Sequence, residues 1–309
     1  MDNHTTNRYG IERFGRLRRV MLHRPSEAIW QITEHNREFF LFDAMPDAEK
    51  YLEEHAQYEQ LLKSLGVQVH LLQDHVQRNT DLMRRLPNLP YLHDIAQVSS
   101  HGAILSKMSS MARRHEEVVV REALDTLGIP TLYEPAEGEA FEGCLLLSPT
   151  TLFVADTERH GRRAIESFIG FMRCYYEDIL YAVLPQERRF MHPDMVLNRV
   201  TDRLLLWYPD AFLESYHIHG GQRKGIDFHS YMKSRGIELF PVSGDEQRRW
   251  GTSFVPLEPG VIINYDISLE EKTVQSLERE GVRFIHFHPE ALLAGGGSLR
   301  CLTMRLHRE

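Results

Sequence analysis

One local order of elements returns along this chain: paired strands, a helix closed by glycine, then another strand. Residues 17–23 read as a strand that Arg24-Pro25 ends, since proline has no N–H for a ladder. Residues 47–65 read as a helix, because Tyr51, Leu52, His55, Tyr58, Leu61, Leu62 and Leu65 recur at helical spacing and Gly66 stops the run. Residues 67–72 then alternate as a strand. The second unit has a strand at 103–105, a helix at 116–127 closed by Gly128, and a strand at 130–133. The third pairs 144–147 with 151–155 and adds a helix at 162–172. The fourth is a hairpin of 195–200 and 203–208, a helix at 228–235, Gly236 and a strand at 237–240. The fifth pairs 253–257 with 261–265 and follows with a helix at 269–280, Gly281 and a strand at 282–286. The order thus recurs about five times at a spacing of roughly 50 residues. Five similar α/β units without a linker rich in proline or serine point to one closed, repeat-built domain over residues 1–309. The most irregular stretch, 73–90, is polar enough to be a lid or a surface loop.

The charge balance excludes some functions. A net charge of −8 argues against a general nucleic-acid binder. No run of about 18 apolar residues exists, so no membrane-spanning helix is expected, and Met1-Asp2-Asn3-His4 offers no apolar signal core. The three cysteines, Cys144, Cys174 and Cys301, form neither a disulfide framework nor a CxxC metal pattern, which fits a reducing, cytoplasmic setting. His217 and His219 make an H-x-H pair, read as a partly exposed strand end rather than a metal site; no metal and no cofactor are expected.

Chemistry concentrates at the unit edges. Gly295-Gly296-Gly297 cannot be a helix interior and feeds a strand at 302–306, with Cys301 at the junction. A thiol on such a turn is placed as a nucleophile would be, or is a structural cysteine at a strand start. His93-Asp94 precedes the second unit, Phe141-Glu142-Gly143-Cys144 starts the third, and His192-Pro193-Asp194 starts the fourth. In a closed ring these edges would converge. Each also has a plain reading: turn chemistry for His93-Asp94, a solvated loop acid at Glu142, an Asx turn at Asp194, core packing for Cys144 and helical packing for Cys174.

Together with Leu17-Arg18-Arg19-Val20-Met21-Leu22-His23-Arg24-Pro25, Leu41-Phe42-Asp43 and Arg300-Cys301-Leu302-Thr303, these residues resemble the guanidino-group-modifying enzymes: arginine deiminases, dimethylarginine dimethylaminohydrolases and amidinotransferases. The resemblance covers nearly the whole chain. It implies an α/β fold of the five-bladed propeller (pentein) kind, with pseudo-fivefold ββαβ units. It implies that Cys301 is the nucleophile and His192 the general acid/base, with Glu142 beside the histidine or the substrate. Asp94 and Asp194 would grip the guanidinium. Arg159, and one of Arg113 or Arg114, would take the substrate carboxylate. The partner is then a small guanidino compound, with neither nucleic acid nor membrane involved; a homo-oligomer is compatible with it. The chemistry suits the residues, because a guanidinium presents a planar fork of donors to paired carboxylates, and its carbon yields to a thiolate.

Three departures stand out. The family's Glu-Gly-Gly-Asp is here Glu142-Gly143-Cys144, His93 replaces an Arg before Asp94, and Gly296 stands where deiminases carry an Arg. Residues 73–90 leave almost no room for the deiminases' helical insertion. The expected function is therefore a cysteine hydrolase of arginine or an N-substituted arginine, giving citrulline or going on to ornithine. The alternative is amidino transfer to an acceptor amine. A binding role, as in the ribosome anti-association factor of the same fold, would need no reactive thiol.

Overall fold

The computed structural model describes residues 9–309; the expectation about Met1-Asp2-Asn3-His4 lies outside the described residues. Five separate sheets carry the α/β fold. In each, a middle strand pairs antiparallel with one neighbour and parallel with the other. The parallel pairing requires a crossover, and a helix supplies it.

Along the chain these sheets are Ala96–Ser99, Gly102–Leu105 and Thr131–Tyr133; Leu145–Leu146, Thr151–Asp156 and Asp178–Val183; Leu197–Arg199, Leu204–Trp207 and Glu238–Pro241; and Val255–Glu258, Val261–Tyr265 and Arg283–Phe287. Their crossover helices are Glu116–Thr126, Arg162–Met172, Phe228–Ser234 and Glu271–Arg279. The remaining sheet joins the two ends of the described chain. Met304–Arg308 runs antiparallel to Leu17–Leu22, which pairs in parallel with Gln68–Leu71 across the helix Ala48–Ser64. The last strand thus occupies in this sheet the place that the first strand of each unit occupies in the others.

Local sequence accounts for the helices. In Arg162–Met172 the buried residues are Ala164, Ile165, Phe168, Ile169 and Met172, one stripe at helical period. Asp47 caps Ala48–Ser64 by accepting from the Lys50 amide, a bond worth about 1 kcal/mol. Four helices are followed by a glycine in the left-handed region, Gly66, Gly128, Gly236 and Gly281, where a side chain would strain the turn into the next strand.

Two expectations are revised. Residues 73–90 are not a free loop. Leu72–His75 and Thr80–Met83 are short helical turns, Met83, Leu86 and Leu89 are buried, and Glu122 accepts from the amides of Gln77, Arg78 and Asn79. A hairpin of Glu214–His219 and Gln222–Gly225, of which the sequence suggested only a strand end at His217 and His219, extends the third sheet beside Asp178–Val183. Its outer strand is wholly exposed and has no apolar residue to signal it.

Among the described residues no helix is long and apolar enough to cross a membrane.

Candidate active site

Cys301 sits on a helical turn and not at a strand start. Ser298 caps the turn Leu299–Leu302 by accepting from the Cys301 amide at 3.4 Å, and the strand begins only at Met304. Before it, Gly295 ends the short helical turn Ala291–Gly295, Gly296 leaves it in the left-handed region, and position 295 must be glycine for a reason of space. A Cβ on Gly295 would lie 1.6 Å from the Tyr91 hydroxyl, which is itself bonded to the Tyr51 hydroxyl at 2.8 Å. The thiol is therefore held on a turn wedged against two buried phenols.

A cavity opens above it, lined among others by Asp94, Arg113, Arg159, Arg188, His192 and Cys301. Asp94 enters from the turn Leu92–Asp94 that precedes the second sheet, and His192 lies immediately before the turn Pro193–Met195 that precedes the fourth. Asp94 is asymmetrically used. Its Oδ2 accepts from Arg113 Nη1 at 2.7 Å, while its buried Oδ1 has no hydrogen-bond partner among the described residues and lies 3.5 Å from His192 Nδ1. Arg113 is itself held by Glu116 at 2.9 Å and by the Tyr91 carbonyl. Burial pushes the Glu116 carboxyl up to about 8 despite Arg113.

His192 is oriented from behind. Its Nε2 lies 2.8 Å from Glu142 Oε2. Burial alone would raise the Glu142 carboxyl, but the bond to His192 and the charges of His192, Arg159 and Arg113 hold it down at about 2. A carboxylate only accepts, so Nε2 carries the proton and Nδ1 faces Asp94 and the cavity. Ser109 fixes the other Glu142 oxygen through its amide, 2.6 Å, and its hydroxyl, 2.7 Å. Burial would lower the His192 imidazole, yet Asp94, Glu142 and Asp194 together keep it above its ordinary value. The thiol goes the other way: burial, then the charges of Asp94 and Asp194, push Cys301 up to about 12 against the help of Ser298. The cavity is thus lined by a protonated thiol and a readily protonated imidazole.

Of the residues singled out from sequence, Cys301, His192, Asp94, Arg159 and Arg113 line this one cavity, and Glu142 stands behind His192. Asp194 does not line it. Its Oδ2 accepts from Ser253 Oγ at 2.8 Å and lies 3.2 Å from Arg300 Nε and 3.9 Å from His93 Nε2. Arg113, expected at a substrate carboxylate, is occupied by Asp94 and Glu116. Arg159 is paired with Glu158 at 3.0 Å and keeps the rest of its fork toward the cavity. Arg188 was not expected at all. It reaches the cavity rim, donating to the Leu41 carbonyl at 2.7 Å and pairing with Asp43 at 3.0 Å. Asp43 in turn packs on Gly296, where an added Cβ would meet its carboxylate at 2.4 Å. Ser253, at the one unit edge not singled out, links Asp194 to Ser298 at 2.8 Å. A lone serine among apolar residues carries no signal in sequence.

The cluster among the described residues with metal-ligand spacing lies elsewhere. Asp178, His217 and His219 meet on the third sheet, with Asp178 Oδ1 at 2.5 Å from His217 and 3.1 Å from His219. Arg235, 3.7 Å from the same carboxylate, completes a partly exposed ion network. The H-x-H pair therefore lies on a strand as expected, with a carboxylate partner that sequence did not show.

The family profile described as N,N dimethylarginine dimethylhydrolase, eukaryotic, matches residues 41–308. The arginine deiminase of Mycoplasma capricolum subsp. capricolum is 22% identical over 387 residues, covering 96% of each chain. The ternary complex of AgrE with ornithine and NAD+ superposes with a TM-score of 0.69 at 19% identity, over 94% of this chain and 39% of AgrE. The dimethylarginine dimethylaminohydrolase adduct with S-methyl-L-thiocitrulline gives 0.67 at 14% identity, over 94% and 99%. The fold is that of these proteins, and the profile spans most of the chain. The chain belongs to the N,N dimethylarginine dimethylhydrolase family, within the guanidino-group-modifying superfamily.

Proposed function

We propose that this protein is a cysteine-dependent hydrolase of the guanidino group of arginine or an N-substituted arginine, working through a covalent adduct on Cys301. The observation that carries it is the shared cavity of Cys301, His192 and a half-free Asp94. The unpartnered Asp94 Oδ1 takes a guanidinium N–H, and Arg159 and Arg188 take the α-carboxylate. Names of relatives that act on arginine or bind ornithine support the same substrate class.

Binding a cation beside Cys301 offsets the charges that keep its thiol protonated, and the proton is lost to solvent. The thiolate attacks the guanidinium carbon. The proton on His192 goes to the departing nitrogen, which leaves as ammonia or an alkylamine, and a cationic thiouronium remains on sulfur. Neutral His192 then takes a proton from water. The hydroxide adds to the same carbon, and the C–S bond breaks to give the ureido product and Cys301. Glu142 keeps the imidazole in the required tautomer and favours its cationic form.

In this reading the five sheets are the blades of a pseudo-fivefold propeller forming one catalytic domain. The sheet that joins Met304–Arg308 to Leu17–Leu22 supports closure of the ring. A nucleophilic thiol that must stay reduced suits the cytoplasm.

The test is intact-protein mass after acid quenching during turnover, with arginine, monomethylarginine and dimethylarginine, in wild type and Cys301→Ser. An adduct on the Cys301 peptide with ureido product is expected. Transfer of the amidino group to glycine, lysine or hydroxylamine in excess of hydrolysis would replace hydrolase by amidinotransferase. The absence of both adduct and product would sink the covalent mechanism.

A further inference from the structure

Four arginines outside the active-site cavity, Arg199, Arg300, Arg305 and Arg308, are packed together, each more than nine-tenths buried. Among the described residues, the one ion pair that any of them makes within 4.0 Å is Arg300 with Asp194. Arg300 Nη1 also donates to Asn198 Oδ1 at 2.9 Å. Arg199 donates to the Glu12 carbonyl at 3.0 Å and lies over the Phe14 ring at 4.2 Å. Arg308 donates to the carbonyls of Gly15 and Pro256 and lies 5.1 Å from the same ring. Arg305 is different. Among the described residues its side chain makes no hydrogen bond, its Nε is fully buried, and it lines a small cavity shared with Phe14, Leu146, Asn198, Arg199 and Arg300.

A guanidinium does not escape this situation by losing its proton. Carbonyls and an aromatic face satisfy the donors of Arg199 and Arg308 without neutralising their charge. Burial, then repulsion from Arg300 and Arg308, disfavours the charge on Arg305 more than Asp194 favours it. An excess of buried positive charge beside a cavity is relieved by an anion entering it. The walls decide what kind. Leu145, Leu146, Leu147, Ile11 and Phe14 supply no donors for several oxygens, so a multivalent, strongly hydrated oxyanion would lose more than it recovers.

We propose that this cavity binds a small monovalent anion of the halide or nitrate class, held between the Arg305 and Arg199 guanidinium groups. Arg300 lines the same cavity and pairs with Asp194, so the anion sets how strongly Arg300 draws on that carboxylate.

The experiment follows the Tm of the full chain in sodium chloride, bromide, nitrate, phosphate and gluconate at matched ionic strength. A saturable rise of about 2–4 °C with the monovalent anions, absent with gluconate, is expected for wild type and lost in Arg305→Met. Wild-type crystals soaked in bromide should show anomalous density beside Arg305, which decides the matter even where the variant fails to fold. Equal responses to bromide and gluconate, or no bromide beside Arg305, would overturn the proposal. A response confined to phosphate would overturn the monovalent class. None of these readouts depends on turnover.

Discussion

His192 Nε2 lies 2.8 Å from Glu142 Oε2, fifty positions earlier in the chain, and this contact determines which nitrogen of the histidine meets the cavity. Both groups are buried, and each holds the other in its charged form.

Removing that charge should weaken the acid. Glu142→Gln leaves an acceptor near Nε2 but lowers the His192 imidazole, so less of it is protonated at neutral pH. We expect release of citrulline to fall by about 10²–10⁴-fold and the optimum to move to lower pH. The measurement is a pH profile of kcat/KM for both proteins. A uniformly lower profile with an unmoved optimum would mean that Glu142 acts on folding and not on His192.

The resting thiol should be slow to alkylate. Cys301 is pushed up to about 12, so at neutral pH only a small fraction is thiolate. Reaction with iodoacetamide, followed on the Cys301 peptide to separate it from exposed Cys174, should rise about tenfold per pH unit from 7 to 10. Asp94→Asn removes a negative charge that disfavours the thiolate, and should speed the reaction at any pH in that range. A plateau near neutrality would contradict a protonated resting thiol.

Gly295→Ala should destabilise the protein through Tyr91. The added methyl meets the phenol oxygen at 1.6 Å, and shifting it breaks the bond to Tyr51. A loss of about 1–3 kcal/mol in denaturant unfolding is expected, as for overpacking elsewhere. Tyr91→Phe in the same chain removes the overlapping oxygen and should recover part of it. If the two losses merely add, the clash is not the cause.

Glu122 ties residues 77–79 to the helix Glu116–Thr126. Burial would raise its carboxyl, but the amides of Arg78, Gln77 and Asn79 and the Asn79 side chain hold it at about 2. Its folded value lies below the unfolded one, so its stabilisation is present above pH 4.5 and is lost as pH falls through 2. Glu122→Gln should cost about 1–3 kcal/mol at pH 7 and flatten the fall in stability between pH 4.5 and 2. A wild-type-like acid limb in the variant would exclude this role.

The expected ends of the helix Arg162–Met172 agree with the observed ones, because an amphipathic stripe is local information that neighbours in sequence already carry. The outer strand Gln222–Gly225 escaped because an exposed edge strand has no inner face to write into the sequence. At the site, the residue types at the unit edges were legible, and their partners were not. Asp194 was expected at a guanidinium of the substrate and faces one from the chain itself, on Arg300. The glycine run did break the helical path, but only at Gly296 and Gly297, after the short helical turn Ala291–Gly295. Ser298 then restarted it, because a cap depends on one hydroxyl aimed at one amide.

By itself the sequence determined the main helices, their apolar faces and the recurrence of one α/β unit, set by periods of two and 3.6 residues, but not the strands Ala96–Ser99, Asp178–Val183 and Gln222–Gly225. Only the tertiary structure decided that Met304–Arg308 pairs with Leu17–Leu22, that Asp94 keeps one oxygen free, and that Cys301 rests protonated. Those outcomes depend on distances of a few ångströms and on burial between segments far apart in the chain. Periodicity records which way a side chain faces, not what it meets there.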